Sequence, residues 1–198
     1  MRLNYLENPN LSDETGNPKD KEIFYFPEAR YYKNLMNDSI LPEQFNKFFS
    51  KVLHSAVQPV LYNYYSDQEV YRFLWIRAFH NYFVINIKKL NQKFFIDCIE
   101  LEFNKNKAHQ DFMCIVKELQ MEVSSVNWVE FERLLDVTNV WKKLIDKNWE
   151  NTRDGSHWVL EAHKSKYYQF AHFHSPKIEE RAALEYLIKL SNLHEIIY

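Results

Sequence analysis

Between Val70 and Phe103 apolar and polar side chains alternate along three successive runs, roughly 70–79, 82–90 and 93–103. Alternation with a period of two residues marks strands, and His80-Asn81 and Leu90-Asn91-Gln92 are connections short enough for hairpins. In the first run Tyr71, Phe73, Trp75 and Arg77 share one face, while Arg72, Leu74, Ile76 and Ala78 share the other. In the second, Val84, Asn86 and Lys88 oppose Phe83, Ile85 and Ile87, which predicts one buried and one solvated face. The run "MCIVKELQMEV" fits helix or strand, and its β-branched residues favour a strand over 113–123. A further hairpin is expected from His157–His163 and Tyr167–His174, turning at "KSK".

Other segments follow the helical period. Phe45, Phe48, Phe49, Val52 and Leu53 predict a helix over about 42–57, with Pro42 in its first turn and an end before Pro59. Ser124 or Ser125 can cap a second helix packed through Val126, Trp128, Val129, Phe131, Leu134 and Leu135. A third, over about 177–192, carries Ile178, Ala182, Leu184, Leu187, Ile188 and Leu190. "IFYFP" at 23–27 reads as a short edge strand closed by its proline. Residues 7–21 are polar and broken by prolines, as in a loop or arm. Together these features predict a polar N-terminal arm over 1–22 and a single α+β domain over 23–198. The domain is expected to be an antiparallel β-meander with helices packed on one face.

Composition narrows the function classes. The chain has 15 Phe, 13 Tyr and 5 Trp, ample for a thick core. Its 25 basic and 27 acidic residues leave a charge of −2, which argues against a nucleic-acid or anionic-membrane partner. No apolar run reaches the roughly 18 residues of a membrane span, so the expectation is a cytoplasmic protein. The two glycines, Gly16 and Gly155, cannot build a glycine-rich phosphate loop or a dinucleotide fingerprint. Gly155 is instead expected where other residues would be strained. Cys98 and Cys114 lack metal or redox spacing and read as free, buried thiols.

Three groups of residues could carry chemistry. Arg72, Arg77, Asp154 and Glu161 form a polar set with His80 nearby. If the strands near 71–79 and 157–163 pair, Arg77 would meet Glu161 or Asp154 and fix the strand register. His157 and His163 share a face, as do His172 and His174, but the spacing fits a solvated sheet face better than zinc, so no metal or cofactor is expected. No nucleophile motif is present, and no catalytic residue is assigned. Tyr62, Tyr64, Tyr65, Asp67 and Glu69 gather aromatic and acidic groups just outside the sheet, the composition of a protein-binding surface.

The segments "YRFLWIRAFHNYFVINI" at 71–87 and "DGSHWVLE…YY…HSP" at 154–176 flank a Trp-containing helix and a "VW" pair. This arrangement resembles a family of small Bacteroidetes-type bacterial proteins with Tyr-Arg-Phe-x-Trp-Leu-Arg-x-Phe-His and Asp-Gly-x-x-Trp-x-x-Glu motifs and a Ser-Pro close. The matching positions are Tyr71, Arg72, Phe73, Trp75, Arg77, Phe79, His80, Trp141, Asp154, Gly155, Trp158, Glu161, Tyr168, Ser175 and Pro176, within about residues 60–193. His174 stands where the pattern has Trp, and no proline closely follows Phe79-His80. The resemblance implies an immunity-protein-like role, that is, a protein-binding module that neutralises a cognate toxin. The alternatives are a small hydrolase using Glu161, Asp154 and the hairpin histidines, or a structural subunit of a larger assembly.

Overall fold

The computed structural model describes residues 2–3, 10–28, 40–63, 68–103, 113–142, 155–164, 167–195 and 197. Its elements are β1 (Arg2–Leu3), α1 (Glu43–Ser55), β2 (Glu69–Arg77), β3 (Tyr82–Leu90), β4 (Lys93–Phe103), β5 (Met113–Val123), α2 (Ser125–Thr138), β6 (Ser156–Lys164), β7 (Tyr167–His174) and α3 (Ile178–Leu190). A short 3-10 turn, Val140–Lys142, follows α2. The strands form one antiparallel sheet in the order β1-β7-β6-β2-β3-β4-β5.

Strands β2 to β5 are a meander, and the local sequence dictates its β3–β4 link. Asn91 and Gln92 both adopt positive φ (48° and 65°), as a two-residue hairpin turn requires. Ser124 caps α2 by accepting the Asn127 amide, while Asn127 reaches back to the Ser124 amide. The β6–β7 hairpin does not continue the meander beyond β5. It joins the other side of β2, pairing Arg72 with Glu161 and Trp75 with Trp158, so β2 lies inside the sheet.

The α+β class and the antiparallel meander agree with the sequence, but the helices divide between the two faces. On one face α2 and α3 cover Tyr71, Phe73, Trp75, Phe83, Ile85, Ile87, Trp158 and Leu160. On the other, Phe49, Val52 and Leu53 of α1 pack with Val70, Leu74, Val84, Val159 and Phe170. Residues from the 10–28 and 58–62 segments complete that layer, among them Tyr25, Phe26, Val60 and Tyr62. The solvated face expected for β3 is therefore buried as well, from Tyr82 through Ile87.

"IFYFP" is not a strand. Its backbone bonds side chains of α1: the Tyr25 amide donates to Ser50 Oγ (2.8 Å), and Asn46 Nδ2 donates to the Phe26 carbonyl (3.1 Å). Part of the polar arm is also docked, since the Val60 amide bonds the Gly16 carbonyl at 2.7 Å. Both cysteines are free, but only Cys98 is buried and Cys114 is exposed. Among the described residues no helix is long and apolar enough to cross a membrane.

Gly155 opens β6 with φ +139°, and an added Cβ would lie 2.3 Å from Ser175 Oγ and 3.0 Å from His174 Cε1. Gly155→Ala should therefore lower stability by about 1–3 kcal/mol. Urea unfolding measures this, and an unchanged midpoint would show that the turn relaxes without cost.

Candidate functional site

A buried polar network crosses the centre of the face that α1 covers. Arg72 of β2 and Glu161 of β6 are register partners, and both are fully buried. Arg72 Nε donates to Glu161 Oε2 at 2.6 Å, and Tyr168 Oη of β7 donates to Glu161 Oε1 at 2.8 Å. Arg72 Nη1 donates to the Pro59 carbonyl at 2.7 Å, which ties the 58–62 segment down onto the sheet. Next to it Tyr25 Oη donates to the Gln58 carbonyl (2.9 Å), and Asn86 Nδ2 to Gln58 Oε1 (3.0 Å). Burial pushes the Tyr25 phenol up to about 12. A cleft of about 360 Å³ opens beside this layer, lined by Gln58, Pro59, Leu61, Val70, Asn86 and Lys88.

The ion pair foreseen in the sequence exists with a different arginine. Arg77, expected to meet Glu161 or Asp154, lies on the opposite face from Arg72. It donates from Nη1 to Glu195 (2.7 Å) and from Nε and Nη2 to the Asn81 carbonyl (both 3.1 Å). Its guanidinium also lies over the rings of Trp75 and Phe83, 4.6 and 4.9 Å from their centroids. Arg77 thereby braces the β2–β3 turn. Asp154 lies outside the described residues.

The histidines share the face covered by α1, and none of it is a solvated sheet surface. His172 is fully buried, and its ring stacks on His157 with centroids 5.3 Å apart. His157 Nδ1 and His172 Nε2 lie 3.0 Å apart, within hydrogen-bond distance, the tautomer deciding which nitrogen donates. The His174 ring meets His157 edge-on at 4.8 Å, and Phe45 and Phe49 of α1 pack against His157 and His172. Burial, then the neighbouring histidines, lowers His157 to about 4 and His172 to about 3. His163, also buried, donates from Nδ1 to the Leu61 carbonyl at 3.0 Å. Among the described residues no three His, Cys, Asp or Glu side chains are placed to hold a metal ion.

The surface foreseen around 62–69 changes character. Tyr62 is fully buried, with its hydroxyl donating to the Phe24 carbonyl (3.1 Å), and cannot form part of a docking surface. Tyr64, Tyr65 and Asp67 lie outside the described residues. Glu69 is half-buried and paired with Lys164 (3.3 Å) and Lys89 (3.9 Å).

Lys164 belongs to a cluster that sequence spacing does not reveal. It binds Glu132 of α2 at 2.6 Å and lies over the Tyr71 and Trp128 rings. Tyr71 Oη also donates to Glu132, at 2.8 Å. Burial, reinforced by that carboxylate, raises the Tyr71 phenol far above its ordinary value. Burial opposes the Glu132 charge, yet the bonds from Lys164 and Tyr71 hold its carboxyl below the usual range. Lysine covering tyrosine in the sequence 93 residues earlier has no short-range signal.

Among the described residues several large apolar side chains are exposed, Phe79 more than Val57 or Ile178. Phe79, at the tip of the β2–β3 turn, is 93% exposed and held at φ +64°. Compared with known protein families, curated proteins and solved structures, the chain finds no match.

Removing one member of the Arg72–Glu161 pair leaves a buried charge. Arg72→Met should cost about 3–5 kcal/mol, and adding Glu161→Leu should recover most of the loss. Chemical unfolding of both variants tests this, and equal stability of the single and double variants would contradict it. The histidine stack predicts the pH response. Folding keeps His157 and His172 neutral, so their contribution is complete above the unfolded value near 6.5 and declines as pH falls towards 4 and 3. Unfolding free energies from pH 7 to 4.5 should fall less steeply for His172→Phe than for the parent chain.

Proposed function

We propose that this chain is a protein-binding module, in its most specific form a cytoplasmic bacterial immunity protein that neutralises a cognate toxin. The observation that carries the binding reading is Phe79. A bulky residue in the left-handed region is unfavourable, and its ring gains nothing from the core at 93% exposure. The Arg77 fork on the Asn81 carbonyl holds the backbone of the turn, so the ring projects from a braced position. A protruding aromatic ring on a braced turn is the form of an interface anchor, because little backbone freedom is lost on binding.

The buried network supports the same reading over the hydrolase alternative. Glu161 commits one oxygen to Arg72 and the other to Tyr168, with no exposed surface. A substrate would have to displace α1 and the 58–62 segment to reach it. The immunity role itself rests on the motif resemblance, in which Arg72, Glu161 and Tyr168 supply the scaffold and Phe79 lies at its surface.

Phe79→Asn separates binding from folding, since Asn tolerates the left-handed region better than Phe. The thermal midpoint should hold or rise. A partner captured stoichiometrically by the tagged parent chain from source cells should bind about 30-fold more weakly. Retained binding would place the interface elsewhere. For the immunity role, co-expression of the parent chain with the toxin so captured should restore growth, and Phe79→Asn should not.

A further inference from the structure

We infer that the outer edge of β5 receives one extended strand of a partner protein, with basic residues on one side and apolar residues on the other. This rests on the protein-binding reading and gives it a second contact. β5 ends the sheet and pairs along its inner side with β4, from Phe94 with Val123 to Phe103 with Met113. Among the described residues no strand pairs with its outer side. The opposite end of the sheet is capped by β1, through Arg2 with Gln169 and Leu3 with Tyr168. An open edge offers a row of backbone donors and acceptors that an extended peptide can complete.

The side chains specify what fits. Glu118, Gln120 and Glu122 alternate along one side of β5, and all three are exposed. Leu119, Met121 and Val123 alternate along the other, half-buried at the margin of the core beneath α2 and α3. An incoming strand with Lys or Arg on the first side meets two carboxylates. Its apolar residues on the second side finish burying the Leu119 row. The usable stretch is 117–123, because the register shifts between Glu100 and Leu101, where Lys117 and Ile115 are the respective partners and Val116 is left over.

The same charges disfavour a second copy of this chain. Antiparallel pairing centred on Gln120 would set each Glu118 against the other copy's Glu122, and like charges directly opposite one another destabilise a sheet. A basic strand meets no such repulsion.

The probe is a capped synthetic peptide, matched in length to 117–123, that alternates Val and Lys. Controls are a Val/Glu peptide and the Val/Lys peptide with N-methylated backbone. Amide hydrogen exchange on the full chain, with fluorescence anisotropy of labelled peptide, should show β5 protected by Val/Lys alone. Reversing both charges, Glu118→Lys with Glu122→Lys, should invert the preference between the Lys and Glu peptides by roughly tenfold. The inference is overturned if no peptide protects β5, if protection falls elsewhere, or if the Lys and Glu peptides act alike. Those failures leave the Phe79 comparison intact, whereas partner binding that survives Phe79→Asn bears on the anchor and not on this edge.

Discussion

A guanidinium with no exposed surface must have its partners in place before the surrounding layers can close, and Arg72 is that group. Glu161 answers it from 89 residues away, and the Pro59 carbonyl answers it from the covering segment. The pair therefore does more than join two strands. A one-residue slip of β6 against β2 would turn Glu161 towards the aromatic face and leave Arg72 unmatched inside the protein. The segment held through Pro59 also brings Leu61 to His163 and Tyr62 under the Phe24 carbonyl. Register and the cover of the sheet thus rest on the same contact.

The two faces of the sheet solve burial differently. Beneath α2 and α3 the centre of the layer is aromatic, with Trp75 and Trp158 at 5.6 Å and Phe73 at 5.2 Å from Trp158, and the charges of Arg77 and Lys164 lie over its rings. Beneath α1 the layer is crossed by the arginine network and the stacked histidines. With both faces of its centre covered, the sheet leaves outside these layers the β2–β3 turn at Phe79 and the free side of β5.

Strand and helix limits were legible because they depend on near neighbours. The alternation of β3 and β4 and the helical period of α1 place their ends to within a residue or two. What depends on distant partners was not legible. Alternation shows that Arg72 and Arg77 point to opposite faces, but not which of them faces Glu161, since that is set by a pairing between strands far apart in the chain. Tyr62 sits in a polar, aromatic stretch that resembles surface, yet a single backbone acceptor lets it be buried. His172 looked solvated because nothing in its own strand shows that Phe45 and Phe49 land on it. "IFYFP" has strand composition but takes its backbone partners from Ser50 and Asn46 of a helix.

The place of β2 in the sheet also governs the order of assembly. The hairpins from β2 to β4 close through short turns and can form early in synthesis, whereas β6 follows only after α2 and the connection beyond it. During that interval β2 is itself an unprotected edge, with Val70, Leu74 and Ile76 on one side and Tyr71, Phe73 and Trp75 on the other. The Arg72 charge in the middle of the strand then keeps that apolar edge hydrated and discourages pairing with a wrong chain. The residue that locks the finished sheet is thus also a guard on the unfinished one.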